Sequence, residues 1–241
     1  MKKLIYILFI SSLSIGINSC KKKGCMDVGA ANYDADAKKD DGSCVYSPII
    51  TINGDNVMTI SVGSGYTDLG ATAANSDGSN VTVIVDSSMI NDSVAGSFIV
   101  VYSASNEHGT TETIRTVNVV INHECWPGDW SVADDCGGGT GLGLNSTPNI
   151  IAGANNDQIL INDFFNGLSS TYGTAICAID GTDITVPSSS ESAPGGLGTI
   201  TYEGFGTMAD DGKSFVITYV YSNSTPFTGG SGTCTATYNK Q

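Results

Sequence analysis

The feature that most constrains the fold is a set of short stretches in which apolar and polar residues alternate. Residues typical of turns separate these stretches. From residue 48 to about residue 122, stretches of sequence carry apolar side chains at alternate positions, and Gly, Asn and Asp separate these stretches. Val81, Val83 and Val85, which follow the turn Asp77-Gly78, are one example. A period of two with turns about every 8–12 residues is typical of sandwiches and barrels. Because no segment after Cys20 carries a convincing helical apolar stripe, the sequence predicts an all-β chain.

The charge distribution argues against one class of partner. From Val45 onward there are nineteen Asp or Glu residues and three basic residues, Arg115, Lys213 and Lys240. A surface this acidic repels a phosphate backbone. We therefore expect no nucleic-acid partner.

Residues 1–20 have the pattern of a lipoprotein export signal. Lys2 and Lys3 precede an apolar run over residues 4–10, and small and polar residues then lead into Cys20. A basic start and a short apolar centre before a cleavage point describe a secretory signal, and bacterial lipoprotein processing acylates the cysteine that follows. The alternative is an ordinary cleaved signal followed by a chance cysteine.

We predict a signal peptide over residues 1–19, a lipid on Cys20 and a tether that includes Lys21, Lys22 and Lys23. The lipid would attach the protein to a membrane, and several acyl chains with a basic patch anchor stably. The prediction is an outer-membrane lipoprotein of the cell envelope. The sequence does not decide whether the protein lies on the cell-surface face or on the periplasmic face of the outer membrane.

A cysteine-bounded acidic motif follows over residues 20–47. Stretches 24–27, 31–34 and 40–46 carry the patterns Gly-Cys-x-Asp, Asn-Tyr-Asp and Asp-Asp-Gly-Ser-Cys-x-Tyr. They resemble a short repeat common in exported proteins of Bacteroidetes and marine bacteria. A bridge between Cys25 and Cys44 would hold most of the structure of so small a unit.

The aspartates of this motif leave two interpretations. Calcium binds clustered carboxylate oxygens, but the spacing fails the EF-hand pattern, because Ala37 stands where the loop needs Gly and Ser43 where it needs Glu. We favour a solvated acidic loop and predict no metal. The residues concerned are Asp27, Asp34, Asp36, Asp40 and Asp41.

Residues 48–122 contain no cysteine and have the alternation of a sandwich. Stretches 52–55, 62–71, 96–102 and 115–119 resemble the bacterial Ig-like domain found in pesticidal crystal proteins and many surface proteins. The resemblance implies a spacer or adhesion-type module without catalytic residues. The apolar positions around Asn53-Gly54-Asp55 also predict an opening β-hairpin.

Residues 123–241 predict a closed or nearly closed antiparallel meander. Two-residue turns at Asp180-Gly181 and Asp211-Gly212 set its hairpins. The predicted strands lie near residues 130–133, 142–151, 158–164, 174–179, 183–186, 198–206, 214–221 and 233–238. The stretch 128–132, the cysteine at 136 and the stretch 234–238 together resemble lipocalin-like C-terminal domains of Bacteroidetes lipoproteins.

The last four cysteines would form disulfides after export into an oxidising compartment. We pair Cys136 with Cys234, which ties the first strand of the meander to the last. This leaves Cys125 with Cys177. Four cysteines permit three connectivities, and the sequence does not choose among them.

The barrel leaves two functions open. If its interior is packed solid, the protein is a display or adhesion component with a protein or glycan partner. The side chains expected to fill it are Ile159, Ile161, Ile176, Ile184, Ile200 and Ile217. In the alternative, the barrel encloses a small apolar ligand. The residues expected to line its mouth are Trp130, Phe164, Phe205 and Tyr219.

An enzyme is the least expected outcome. The two histidines, His108 and His123, fall in a turn and a linker, and no Gly-x-Ser-x-Gly elbow is present. No cofactor is implied by any motif. The sequence therefore predicts a non-catalytic envelope lipoprotein with an Ig-like domain and a C-terminal β-domain.

Overall fold

The computed structural model describes residues 21–136, 143–162, 164, 173–192, 197–226 and 229–241. The predicted signal peptide and Cys20 lie outside these residues. Within them the regular structure is β-strand apart from one 3-10 turn, His123–Cys125. Among the described residues, no helix is long and apolar enough to cross a membrane. The predicted all-β fold class is confirmed.

The strands fall into three groups. Two short parallel strands in the acidic motif are β1 (Lys23–Gly24) and β2 (Lys39–Asp40). The sandwich strands are β3 (Ile49–Ile52), β4 (Val57–Ser61), β5 (Ala71–Ala74), β6 (Asn80–Val81), β7 (Val83–Asp86), β8 (Gly96–Asn106) and β9 (Gly109–Val120). The barrel strands are β10 (Gly128–Asp135), β11 (Asn149–Ala152), β12 (Gln158–Ile161), β13 (Ala175–Asp180), β14 (Asp183–Ser192), β15 (Thr199–Met208), β16 (Ser214–Asn223) and β17 (Gly230–Lys240).

These strands form two compact units. The first contains the described residues up to Ile49, together with Ala73–Thr82 and Ala104–Thr111. The second contains Ile50–Thr72, Val83–Ser103 and Glu112–Gln241, and it includes the sandwich core and the complete barrel.

The sandwich has a three-stranded sheet, β3-β5-β6, and a four-stranded sheet, β4-β9-β8-β7. Its core is built from alternate residues of β8 and β9, with Val100, Tyr102, Val117 and Val119 buried. The predicted opening hairpin is wrong, because β3 and β4 belong to different sheets and β4 pairs in parallel with β9. The turn at residues 53–55 carries the chain from one sheet to the other.

A buried arginine holds this crossing in place. Arg115 on β9 is fully buried, and its Nη1 donates to Asp68 Oδ1 at 2.5 Å. Its Nε donates to the carbonyl oxygen of Asp55 at 3.1 Å, and its Nη2 donates to the carbonyl of Asn53. One guanidinium therefore satisfies two carbonyls of the turn and a carboxylate at once.

Asp68 is the acceptor that balances this charge. Tyr66 and Tyr102 each donate a hydroxyl hydrogen bond to its Oδ1, at 2.9 and 2.5 Å. Burial on its own would raise the pKa of Asp68, but these hydrogen bonds and the Arg115 charge outweigh it and hold the pKa below its usual value. The folded sandwich therefore favours the ionised carboxylate.

The barrel closes in chain order. Each strand from β10 to β17 pairs antiparallel with the next, and β17 returns to β10 from Trp130↔Lys240 to Asp135↔Thr235. The predicted turn glycines Gly181 and Gly212 both have a positive φ, of 57° and 66°. Gly181 begins a two-residue loop between the paired Asp180 and Asp183, whereas Gly212 lies in a longer loop, because Ala209 N–H donates to the Ser214 carbonyl. Closure pairs the edge strands, so the wall presents side chains rather than open backbone.

Candidate functional site: the barrel interior and its outer wall

Aromatic rings fill one end of the barrel. Phe215 stacks on Tyr238 with ring centroids 4.2 Å apart. Trp130 packs edge-on against the Phe215 ring, with centroids 4.8 Å apart. Trp126 lies 5.3 Å from Phe215, and its carbonyl accepts from Trp130 Nε1 at 3.0 Å. All four side chains are at most 1% exposed. Such offset and edge-to-face contacts add to the area that the rings bury.

Most of the isoleucines expected to fill the barrel do so. Ile176 is the exception, because it faces outward from β13 and is 55% exposed. The buried ones are Ile159, Ile161, Ile184, Ile200 and Ile217. These five inward positions are thus occupied by the protein's own side chains.

The four residues expected to line a ligand mouth do not form one group. Trp130, Phe164 and Tyr219 are buried in the barrel core. Phe205 points the other way, with 70% of its surface exposed. The expectation for Phe205 is wrong because its neighbours Gly204 and Gly206 take the inward positions of β15, and side chains alternate along a strand.

A carboxylate lies beside the disulfide that joins β10 to β17. Tyr219 donates its hydroxyl to Asp134 Oδ2 at 2.7 Å, and the same hydroxyl is 3.8 Å from Cys136 Sγ. Burial raises the pKa of Asp134, against the Tyr219 hydrogen bond that lowers it, and the charge of Asp135 adds to the rise. Asp134, Cys136 and Cys234 lie close enough to share a metal, but both sulfurs are bonded to each other and supply no thiolate.

Two of the three predicted bridges are present. Cys25 is bonded to Cys44, and Cys136 is bonded to Cys234. Cys125 and Cys177 are free, which corrects the remaining predicted pair.

The two free thiols lie in different surroundings. Cys125 lies in the turn before β10, whereas Cys177 faces into the barrel opposite Ile159. Burial raises the pKa of the Cys177 thiol to about 12, so it stays protonated and unreactive.

The outer face of the described barrel wall carries a depression that we call the outer groove. It lies over β14, β15 and β16 and has a volume of about 370 Å³. Its outward lining is formed by Thr185, Pro187, Glu203, Phe205, Thr218 and Val220. A second depression of about 240 Å³ shares Ser188, Glu203 and Val220 with it and extends it along the wall.

Two glycines of β15, one of them in the groove lining, lie in this part of the wall. Gly204 and Gly206 face inward, opposite Tyr219 and Ile217. A Cβ on Gly206 would overlap the carbonyl oxygen of Val216, and one on Gly204 would lie 2.9 Å from Tyr219 Cβ. At these two positions β15 therefore approaches β16 more closely than a side chain would allow. The Gly-x-Gly pattern of residues 204–206 is the sequence signal of this close approach, and the sequence-based prediction missed it.

A register shift in β14 widens the same region. Pairing between β14 and β15 is interrupted between Val186 and Ser189, which leaves Pro187 and Ser188 outside the ladder. Such a bulge bends its strand and increases the local twist. The bulge therefore lies in the same part of the wall as Gly204, with which Val186 pairs.

The aspartates of the acidic motif bind different partners within the motif. Asp34 Oδ2 pairs with Lys22 Nζ at 2.8 Å, while Asp27 accepts from the Tyr46 hydroxyl at 2.8 Å. Asp40 and Asp41 accept from backbone N–H groups of their own turn. Within the described part of the chain, no three of these carboxylates converge as a group that could hold a metal.

Comparison with known proteins identifies one region of the chain. Residues 50–119 match the family described as bacterial surface protein, Ig-like domain, within the predicted 48–122. A solved lipoprotein of Bacteroides thetaiotaomicron is 15% identical, with 80% of this chain and 100% of that one covered and a TM-score of 0.26. No curated protein matches the chain.

Proposed function

We propose that this protein is a non-catalytic lipoprotein of the bacterial envelope that presents its C-terminal barrel to a protein or glycan partner. Cys20 carries the lipid, and the Ig-like domain serves as a spacer. The export pattern of residues 1–20 supports the anchor, and the match to an Ig-like domain of bacterial surface proteins supports the location.

The observation that carries the proposal is the occupied barrel interior. Rings of Trp130, Phe215 and Tyr238 pack against one another where a ligand-binding barrel would keep space. Binding is then a property of the outer surface. The enclosed-ligand alternative is less well supported, because aromatic rings occupy that space and one of its four expected mouth residues, Phe205, lies outside the barrel.

The chemistry of the described residues agrees with a binding role. The thiol of Cys177 is buried and protonated, and the carboxylate of Asp134 is hydrogen-bonded to Tyr219 beside an oxidised cysteine pair. A nucleophile needs a neighbouring base or a lowered pKa. Neither group meets that condition, so we assign no catalytic residue.

The anchor is tested by Cys20→Ser expressed in a bacterium with lipoprotein processing. Because the thiol is the only site for the acyl chain in this scheme, the variant is expected to leave the outer-membrane fraction. Immunoblots of separated membranes measure the change. The Cys25→Ser/Cys44→Ser variant is the matched control and stays with the membrane. Retention of Cys20→Ser in the outer membrane would contradict the proposal.

A further inference from the structure

We propose that the outer groove is the docking site for a protein segment that inserts a cationic side chain, arginine above all, between flanking apolar residues. This inference rests on the proposed function, which places binding on the outside of the barrel. It names the partner's chemistry and the residues that recognise it.

The groove lies on paired strands of the wall. Gly204 and Gly206 pair with β16, and the bulge at Pro187-Ser188 is flanked by the pairs Val186↔Gly204 and Ser189↔Tyr202. A pocket of about 370 Å³ lies in the range of ordinary ligand sites and takes one or two side chains. A partner therefore needs no rearrangement of the barrel to dock there.

Phe205 and Glu203 supply the recognition. They are two residues apart on β15 and face outward together, which places their side chains about 7 Å apart. Phe205 is 70% exposed, so its ring face is open to a partner. A guanidinium can stack on an aromatic face while pairing with a carboxylate in a planar fork. Val220 and Pro187 complete the walls for the partner's apolar residues.

The charge of the barrel selects a cation. Residues 123–241 contain twelve Asp or Glu residues against two lysines, Lys213 and Lys240. Both lysines lie at the end of the barrel where β10 begins, and Lys240 Nζ donates to the Cys125 carbonyl at 2.8 Å. The charged residue of the groove is Glu203. This field attracts cationic segments and repels anionic ones.

A neutral glycan fits the groove less well. Sugar hydroxyls need several donors and acceptors, and planar carboxylate or amide groups supply them in pairs. The groove offers one such group, Glu203, and its other polar lining is single hydroxyls such as Thr185 and Thr218. Valine, proline and phenylalanine contribute apolar contact instead, which matches a peptide side chain.

The test is a fluorescence-anisotropy titration of the mature chain with a labelled hexapeptide of alternating Leu and Arg. Phe205→Ser is expected to raise Kd roughly fivefold by removing the ring, and Glu203→Gln roughly threefold by removing the charge. Ile176→Ser and Asp183→Asn are matched controls, because both are exposed on the wall outside the groove. They are expected to change Kd less than twofold.

Two results would overturn the inference. In one, the groove variants and their controls weaken the peptide equally, which means that the acidic surface binds cations without a site. In the other, maltohexaose saturates the protein, and Phe205→Ser abolishes that binding, so the groove takes a glycan. Both results leave the proposed function standing. Failure of the proposed function would show separately, as a small molecule held inside the barrel.

Discussion

Arg115→Ala is expected to lower the free energy of unfolding of the sandwich by about 3–5 kcal/mol. The substitution leaves the Asp68 carboxylate without its cation and strips the carbonyls of Asn53 and Asp55 of their donors. Among the described residues of β9, Arg115 is the one whose side chain donates hydrogen bonds to the segment that connects the two sheets, residues 53–55, and the substitution removes those bonds. Urea denaturation followed by far-UV circular dichroism measures the loss.

Glu112→Ala is the matched control, because it removes an exposed charge from the same strand and is expected to change stability by at most about 0.5 kcal/mol. A pH series identifies the mechanism. Since the folded pKa of Asp68 is lowered, its contribution is complete above about pH 4, the unfolded value, and is lost as the pH falls through the folded value. The advantage of the native protein over Asp68→Asn should shrink in acid. Equal stability of Arg115→Ala and Glu112→Ala at neutral pH would contradict this account.

Cys136→Ser/Cys234→Ser is expected to lower the melting temperature of the barrel by about 10–15 °C, because the bridge contributes about 4–5 kcal/mol by loop entropy. The bridge joins residues 98 apart and ties β10 to β17, the pair that closes the barrel. Tryptophan fluorescence measures this transition selectively, since both tryptophans, Trp126 and Trp130, are buried in the barrel core.

The Cys25→Ser/Cys44→Ser variant controls for the loss of a disulfide as such. That bridge closes a separation of 19 residues in the other compact unit, so the tryptophan transition should stay where it is. If both double variants shift the transition equally, the Cys136–Cys234 bridge has no specific role in the barrel.

The strands of the barrel were predictable from sequence because two local signals agree. Alternating apolar residues set the period of two, and turns such as Asp180-Gly181 and Asp211-Gly212 separate the strands at hairpin spacing. For two strands, β13 and β15, it was harder to predict which side chains face the barrel interior. Phe205 and Ile176 were expected to serve the interior because they are apolar, yet glycines occupy the neighbouring inward positions of Phe205, and small residues flank Ile176.

Long-range partners were beyond the sequence. Arg115 is one base among many acids, and nothing local indicates that it is bound to carbonyls 60 and 62 residues away. The pairing of Cys125 with Cys177 followed from elimination, but a turn before β10 and the inner face of β13 do not bring those sulfurs together. The close approach of Gly206 to Val216, in the same part of the wall as the outer groove, is defined only by the folded chain.

Native mass spectrometry of the mature protein, purified from the envelope, tests most directly whether the barrel is filled by its own side chains. The account predicts the mass of the polypeptide with its acyl groups, four hydrogens lighter for the two disulfides, and the same mass after denaturation. An additional mass in the native spectrum that disappears on denaturation would contradict it, because the barrel would then hold a small molecule.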